Sequence, residues 1–372
     1  TALPSIQPGR IEYRGKQIRS AVEQGLQALG YYQSKIQLQV DEQDPALLHV
    51  QVTKGKPVKI RTLRVELLGD ALNDEAFDRL LKQLPLKQGD VLNHGKYEDI
   101  KSALATRAAN RGYFDAELVT SRVKVYPDEL VADVVIEFSS GHRYHFGEAR
   151  IVGVTESLRL IHPLLTFKAG DPYQAQDLAT LSQSLSETRY FRQVDVRPLL
   201  NETRDHQVPI YIGLEPKSDN LVETGVGYST DEGPRVQLNW EKPWLNSHGH
   251  SLAAQFKMSQ PKQDLKFNYR IPGKDPINDY YNLQTGYERT DLNDTRSSKT
   301  SAGIHYWTKK LGNWERDYFT RLEYESFRQG LSEGNSLLLI PGVSLNRLRV
   351  DKAIDPEFGD RILLTSEFSQ PA

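Results

Sequence analysis

From Val222 onward, apolar and polar side chains alternate in segment after segment. Val222, Thr224, Val226 and Tyr228 alternate with Glu223, Gly225 and Gly227. Val236, Leu238 and Trp240 then alternate with Arg235, Gln237, Asn239 and Glu241. Leu252, Ala254, Phe256 and Met258 follow, and after them Leu265, Phe267, Tyr269 and Ile271 against Lys266, Asn268 and Arg270. Successive side chains of an extended chain point to opposite faces, so each segment has one apolar and one polar face. Segments of about ten residues with this alternation, separated by turns and rich in tyrosine and tryptophan, predict an antiparallel transmembrane β-barrel. A soluble β-sandwich alternates as well, and what precedes this region decides between the two. The phase puts Leu238, Phe256, Phe267 and Leu283 on a lipid face, and Asn239, Lys257, Lys266 and Gln284 on a lumen face. About nine strands fit between Val222 and Gln370.

The first 217 residues show a different periodicity and an internal repeat. Lys16–Ala21 leading to Gly30-Tyr31-Tyr32 corresponds to Asp99–Ala103 leading to Gly112-Tyr113-Phe114. A third copy runs through Leu178, Leu181 and Leu185 to Arg189-Tyr190-Phe191, with Lys168–Asp171 repeating Lys87–Asp90. From Gly89 to Tyr113 is 24 residues and from Gly170 to Tyr190 is 20, a difference of about one helical turn. In the second copy, Arg61–Leu68 reads as a strand with Leu63, Val65 and Leu67 on one face. Asn73 is the expected N-cap of a helix burying Ala76, Phe77, Leu80, Leu81 and Leu84. A second helix buries Tyr97, Ile100, Leu104 and Ala108, and Gly112 supplies a left-handed cap. Strands over Ala116–Val125 and Leu130–Phe138 complete a β-α-α-β-β unit. The aromatic pair after the glycine is expected to dock one ring into the helix–sheet core rather than to offer it to a ligand. The first copy lacks the leading strand and first helix, because Thr1–Gly15 is too short and too poor in apolar residues to hold them.

Composition adds exclusions. A net charge of −2 gives no overall electrostatic footprint for nucleic acid. The absence of cysteine removes disulfides and thiolate chemistry. No apolar run approaches the roughly 18 residues of a membrane-spanning helix. Thr1 is not followed by a basic-then-apolar leader, as expected of a chain whose signal peptide has been removed.

The Leu29–Tyr32 and Arg111–Asp115 corners resemble those of polypeptide-transport-associated (POTRA) domains. Glu223–Asp231 with Gly233–Val236, Lys242-Pro243-Trp244, Gly249–Leu252 and Arg289–Thr295 resemble the opening barrel hairpins of the TamA family of translocation and assembly modules. This family belongs to the outer-membrane assembly superfamily of POTRA-plus-barrel proteins. The resemblance implies a partial first POTRA domain over 1–59, further ones over 60–146 and 147–217, and the N-terminal half of an outer-membrane barrel over 218–372. The family's barrel has sixteen strands, so about nine would be an incomplete copy; the family's terminal aromatic and arginine-containing loop motif are absent here. The resemblance further implies a bacterial outer-membrane location with the POTRA domains in the periplasm. Its implied function is assistance in inserting outer-membrane proteins such as autotransporters. The implied partners are unfolded outer-membrane protein clients, outer-membrane lipid and an inner-membrane-anchored periplasmic protein of the TamB type, with no nucleic acid. The lateral-gate strand carried over from the family is Val222, Glu223, Thr224, Gly225, Val226, Gly227, Tyr228 and Ser229. A two-partner-secretion transporter and a BamA-like assembly protein are the alternatives.

Motifs for catalysis are missing. No P-loop and no Gly-x-Ser-x-Gly occurs. Gly225-Val226-Gly227 has no helix after it to cradle a phosphate and reads as strand interior. His248 and His250 lie beside Asn246, Ser247 and Gly249, which favours a turn over a metal site. The expectation is a non-enzyme with no catalytic residue, metal or cofactor.

Overall fold

The structure is a computed structural model that describes residues 8–40, 48–154, 158–230, 232–292, 294–309, 313–352 and 355–371. Residues 1–7, Asp231 and Asn293, on which parts of the sequence expectations rest, lie outside this set. Contacts divide the chain into two compact units. One comprises Thr1–Gly147, Ala169–Gln176 and Glu202–Val208; the other comprises Glu148–Lys168, Asp177–Asn201 and Pro209–Ala372.

The first repeat supplies helix α1 (Pro8–Ala28) and an antiparallel pair, β1 (Lys35–Val40) and β2 (Leu48–Thr53). The second supplies β3 (Lys59–Leu68), α2 (Glu75–Lys82), α3 (His94–Asn110), β4 (Glu117–Tyr126) and β5 (Val131–Ser139). Its sheet runs β3-β5-β4, with β5 parallel to β3 and antiparallel to β4. The strict alternation along β5 puts Ala132, Val134, Ile136 and Phe138 under the helices, where Phe77, Ile100 and Leu104 meet them fully buried. Each of these side chains larger than alanine contributes about 1.5–3 kcal/mol by leaving water.

One expectation is corrected here. Asn73 does not cap α2: it closes a short 3-10 turn, Asp70–Asn73, and Asp74 takes the cap position in extended conformation. The Asp74 carboxylate accepts the Ala76 N–H at 2.9 Å. The helix ends at Lys82, so Leu84 packs on the core from the loop beyond.

The third repeat supplies β6 (His145–Val152), α4 (Leu158–Ile161), α5 (Ala175–Glu187), β7 (Phe191–Pro198) and β8 (Gln207–Pro216), with sheet order β6-β8-β7. Leu178, Leu181 and Leu185 are buried as their spacing predicts. Helix α3 has 17 residues and α5 has 13, so the four-residue difference between copies is one turn of helix. The repeat also holds in the hydrogen bonds. Gly89 N–H donates to Ile60 O and Gly170 N–H to Phe146 O, at 2.8 and 2.7 Å. Both glycines have φ near +90°, where a Cβ is strained.

The remaining strands form one antiparallel meander. They are β9 (Leu221–Ser229), β10 (Gly233–Lys242), β11 (Ser251–Ser259), β12 (Lys262–Pro272), β13 (Asp279–Leu292), β14 (Thr295–Thr308), β15 (Trp314–Gln329), β16 (Ser332–Val350) and β17 (Gly359–Glu367). A short extension, Gln370–Pro371, pairs with β16 beyond β17. The result is POTRA-like modules followed by a nine-strand sheet of partial-barrel type. Each strand pairs with its sequence neighbours, and among the described residues β9 pairs only with β10, and β17 only with β16. Registers place Leu238 opposite Phe256 and Leu283 opposite Ile304 on the apolar face, and Asn239 opposite Gln255 on the polar one. On the polar face Phe319 lies over Gly342, so close that a Cβ there would stand 2.4 Å from its ring.

Candidate functional site

All eight residues of the strand singled out in the sequence, Val222–Ser229, lie on β9 at the free edge of the sheet. Val222, Thr224, Val226 and Tyr228 face Trp240, Leu238, Val236 and Pro234 across the β10 pairing. Val226 is 88 % exposed and Tyr228 74 %, the price of having one neighbour instead of two. Gly225 and Gly227 carry ordinary extended backbone, so their effect is the missing side chain. Together with Arg235, Lys257, Lys262 and Asp264 they line a hollow of about 470 Å³ on the polar face. Each glycine weakens the strand by roughly 0.5–1 kcal/mol relative to alanine.

The base of β9 is held better than its tip. Asn239 Oδ1 accepts from Gln237 and Gln255 at 3.1 Å each, and Asn239 Nδ2 reaches Glu223 at 3.4 Å. Trp240 Nε1 donates to Asn220 Oδ1 at 3.0 Å, just before the strand starts.

Beside this base sits the third aromatic corner. Arg189 occupies the glycine position of the other two copies with φ +64°, against +90° at Gly30 and +79° at Gly112. Tyr190 is buried, its ring 4.8 Å from Trp244, and Phe191 lies 6.1 Å from the same indole. The Tyr190 hydroxyl donates to Gly249 O at 2.9 Å. Burial pushes this phenol up, with Arg270 acting the other way. Gly249 belongs to a turn in which Asn246 Oδ1 accepts the N–H of His248 and of His250. His250 Nδ1 meets the Tyr269 hydroxyl at 2.7 Å, and burial, helped by His248, lowers its imidazole. Among the described residues no three His, Asp or Glu side chains stand together as metal ligands.

The second corner divides its aromatics. Tyr113 enters its own core edge-on to Phe77 and donates to Asp74 Oδ2 at 3.0 Å. Phe114 instead meets Tyr144 and Tyr173 at 5.4 and 5.0 Å. Arg111 Nε donates to the same Asp74 oxygen at 2.6 Å. Burial pushes the Asp74 carboxyl up, but the bonds from Arg111, Ala76 and Tyr113 outweigh it and hold it below its ordinary value. Burial, then the bond to Asp74, pushes Tyr113 up to about 12. Sequence reasoning placed one ring of the pair in the core but did not find the receiving surfaces, Trp244 and Gly249 above all. The Pro-Trp and Gly-His steps of that turn were their only local signal.

Two protein-family models match the chain: "Surface antigen variable number repeat", a POTRA family, over residues 61–141, and "POTRA domain TamA domain 1" over residues 4–54. Among curated proteins, the outer membrane protein assembly factor BamA of Neisseria meningitidis serogroup B is 23 % identical over 210 residues, 51 % of this chain and 26 % of that protein. BamA of Nitratidesulfovibrio vulgaris is 23 % identical over 194 residues, 51 % of this chain and 24 % of that protein. The chain thus aligns with about a quarter of each of these relatives. Among solved structures, BamA from Haemophilus ducreyi lacking POTRA domains 1–3 matches with TM-score 0.64 at 14 % identity, over 84 % of this chain and 64 % of that one. Residues 4–54 and 61–141 thus match POTRA-family models, and about half of the chain is similar to part of two BamA proteins.

Proposed function

We propose that this chain is the POTRA region and first barrel strands of an outer-membrane assembly protein of the TamA type, which helps insert other outer-membrane proteins. The observation that carries this reading is β9, an exposed, glycine-thinned edge strand that opens a long antiparallel wall directly after three repeat modules. A free edge presents unpaired N–H and C=O groups and accepts another strand through main-chain hydrogen bonds. In hydrocarbon an edge cannot stay unpaired, so an incoming strand and the strand that closes the barrel compete for the same groups. In the second module β4, and β3 beyond the Val58–Ile60 stretch that bonds to Gly89–Leu92, offer edges of the same kind to periplasmic clients and to a TamB-type partner.

The apolar face supports a membrane position for the wall. Tyr281, Tyr306 and Tyr318 stack across three strands at 4.8 and 6.4 Å, with Leu283, Ile304 and Leu322 farther along the same face and Tyr287 and Tyr324 beyond them. Aromatic rows bounding an apolar band are the mark of outer-membrane strands. The name of the model matching residues 4–54 favours the TamA type over BamA itself. The test is reconstitution of the complete protein in liposomes with a urea-denatured outer-membrane client. Faster client folding than in empty liposomes is expected, and equal rates would refute the reading.

A further inference from the structure

Tyr190 touches two chain segments that are unrelated in sequence, one just before the edge strand β9 and one in the turn between β10 and β11. Its backbone carbonyl accepts the Lys217 N–H at 2.9 Å, four residues before β9 starts at Leu221. Its hydroxyl donates to Gly249 O, also at 2.9 Å, in the turn that joins β10 to β11. The approach is tight at Gly249 itself. A Cβ on Gly249 would stand 2.4 Å from Leu160 Cδ1 and 3.0 Å from the Tyr190 hydroxyl, and the residue has φ +75°. Trp244 closes over the ring, and Trp240 joins the end of β10 to Asn220. Tyr190 thus adds two contacts, one by its carbonyl and one by its hydroxyl, to the Asn239–Glu223 and Trp240–Asn220 bonds at the base of β9, while the Gly225–Ser229 half has its β10 pairing and no large side chain on the polar face.

We propose that Tyr190 is a two-point clamp that positions the free edge, holding Asn220–Glu223 as the pivot about which the Gly225–Ser229 half of β9 moves. The proposal rests on the reading of β9 as a moving seam. Tyr190 is a positioning residue: it acts through the backbone at Lys217 and Gly249 and touches no client. The carbonyl contact survives replacement of the side chain, so the hydroxyl can be removed without unfastening the whole corner.

The test compares the complete membrane-embedded protein with its Tyr190→Phe variant by amide hydrogen exchange and by client folding. Phenylalanine keeps the ring against Trp244 and removes only the bond to Gly249. Exchange at Leu221–Glu223 and Leu252–Ala253 should rise about tenfold, the change expected from losing one buried hydrogen bond in a local opening equilibrium. Exchange in the centre of β14 and β15 should not change, and client folding should slow. Gly249→Ala, which pushes the two sides apart from the turn, should give the same pattern. Unchanged exchange at Leu221–Glu223 in both variants would overturn the clamp. Raised exchange with client folding unaffected would overturn the positioning role. A wild type that folds no client would refute the assembly reading instead, and the exchange comparison would still decide whether the clamp exists.

Discussion

Replacing Asp74 by alanine removes one carboxylate on which three donors converge in the second module: the Ala76 N–H at 2.9 Å, Arg111 Nε at 2.6 Å and the Tyr113 hydroxyl at 3.0 Å. Losing a helix cap alone costs about 1 kcal/mol. The larger loss comes from what stays behind, since the Arg111 side chain is 24 % exposed and Tyr113 only 2 %. Removing one member of such a pair costs about 3–5 kcal/mol, and the separate losses do not add because they share one acceptor. We expect Asp74→Ala to destabilise the second module by about 3–5 kcal/mol. The pH dependence has a definite sign. The carboxyl is held below its ordinary value in the fold, so its contribution is complete above an unfolded-state pKa of about 3.9 and is lost as the pH falls through the folded-state value. Asp74→Asn keeps an oxygen for the Ala76 N–H and should remove this acid dependence. Amide exchange of Ala132–Phe138 in the whole protein, read as a local unfolding free energy, measures both effects. A loss below about 1 kcal/mol, or an acid response unchanged in Asp74→Asn, would refute the shared-acceptor account.

Leu104→Ala should destabilise the same module by about 2–5 kcal/mol in the same assay, since Leu104 is fully buried among Ile100, Val134 and Ile136; a loss below about 1 kcal/mol would mean that the α3 face is misassigned. Arginine at Phe267 on the apolar face should cost about 2–4 kcal/mol near a bilayer midplane and much less at Lys266, so equal losses in refolding into vesicles would contradict the face assignment. Arg189→Gly should stabilise the third corner by about 1 kcal/mol, because Arg189 holds a left-handed backbone that glycine adopts without strain; lower resistance to urea would show that the arginine side chain does more than fill the position.

Features set by local alternation were legible in the sequence. The faces of β9–β13, the buried stripe of α3 and the extra turn between α5 and α3 follow from spacing that neighbouring chain does not alter. The cap of α2 was misplaced by one residue, since Asn73 and Asp74 are both good caps and only the 3-10 turn decides between them. The divided roles of the aromatic corners were not legible. Phe114 finds Tyr144 and Tyr173, and Tyr190 finds Gly249, across long stretches of chain with no periodic signal. That Arg189 could stand where two other copies use glycine was equally hidden, because a left-handed arginine is held there by its surroundings and not by its own preference. The candidate strand was found as a segment, whereas its fastening at one end only emerges from the contacts of Tyr190, Trp240 and Asn239.

Disulfide scanning between single cysteines along β9 and along one strand of a folding client tests the central claim most directly. If the free edge receives the client, crosslinks form at Thr224, Val226 and Tyr228, and each two-residue step on β9 is matched by a two-residue step on the client, as paired strands require. Cysteines at Leu283 and Ile304, whose strands have neighbours on both sides, should capture nothing. Crosslinks without register along β9, or equal capture at Leu283 and Ile304, would contradict the account.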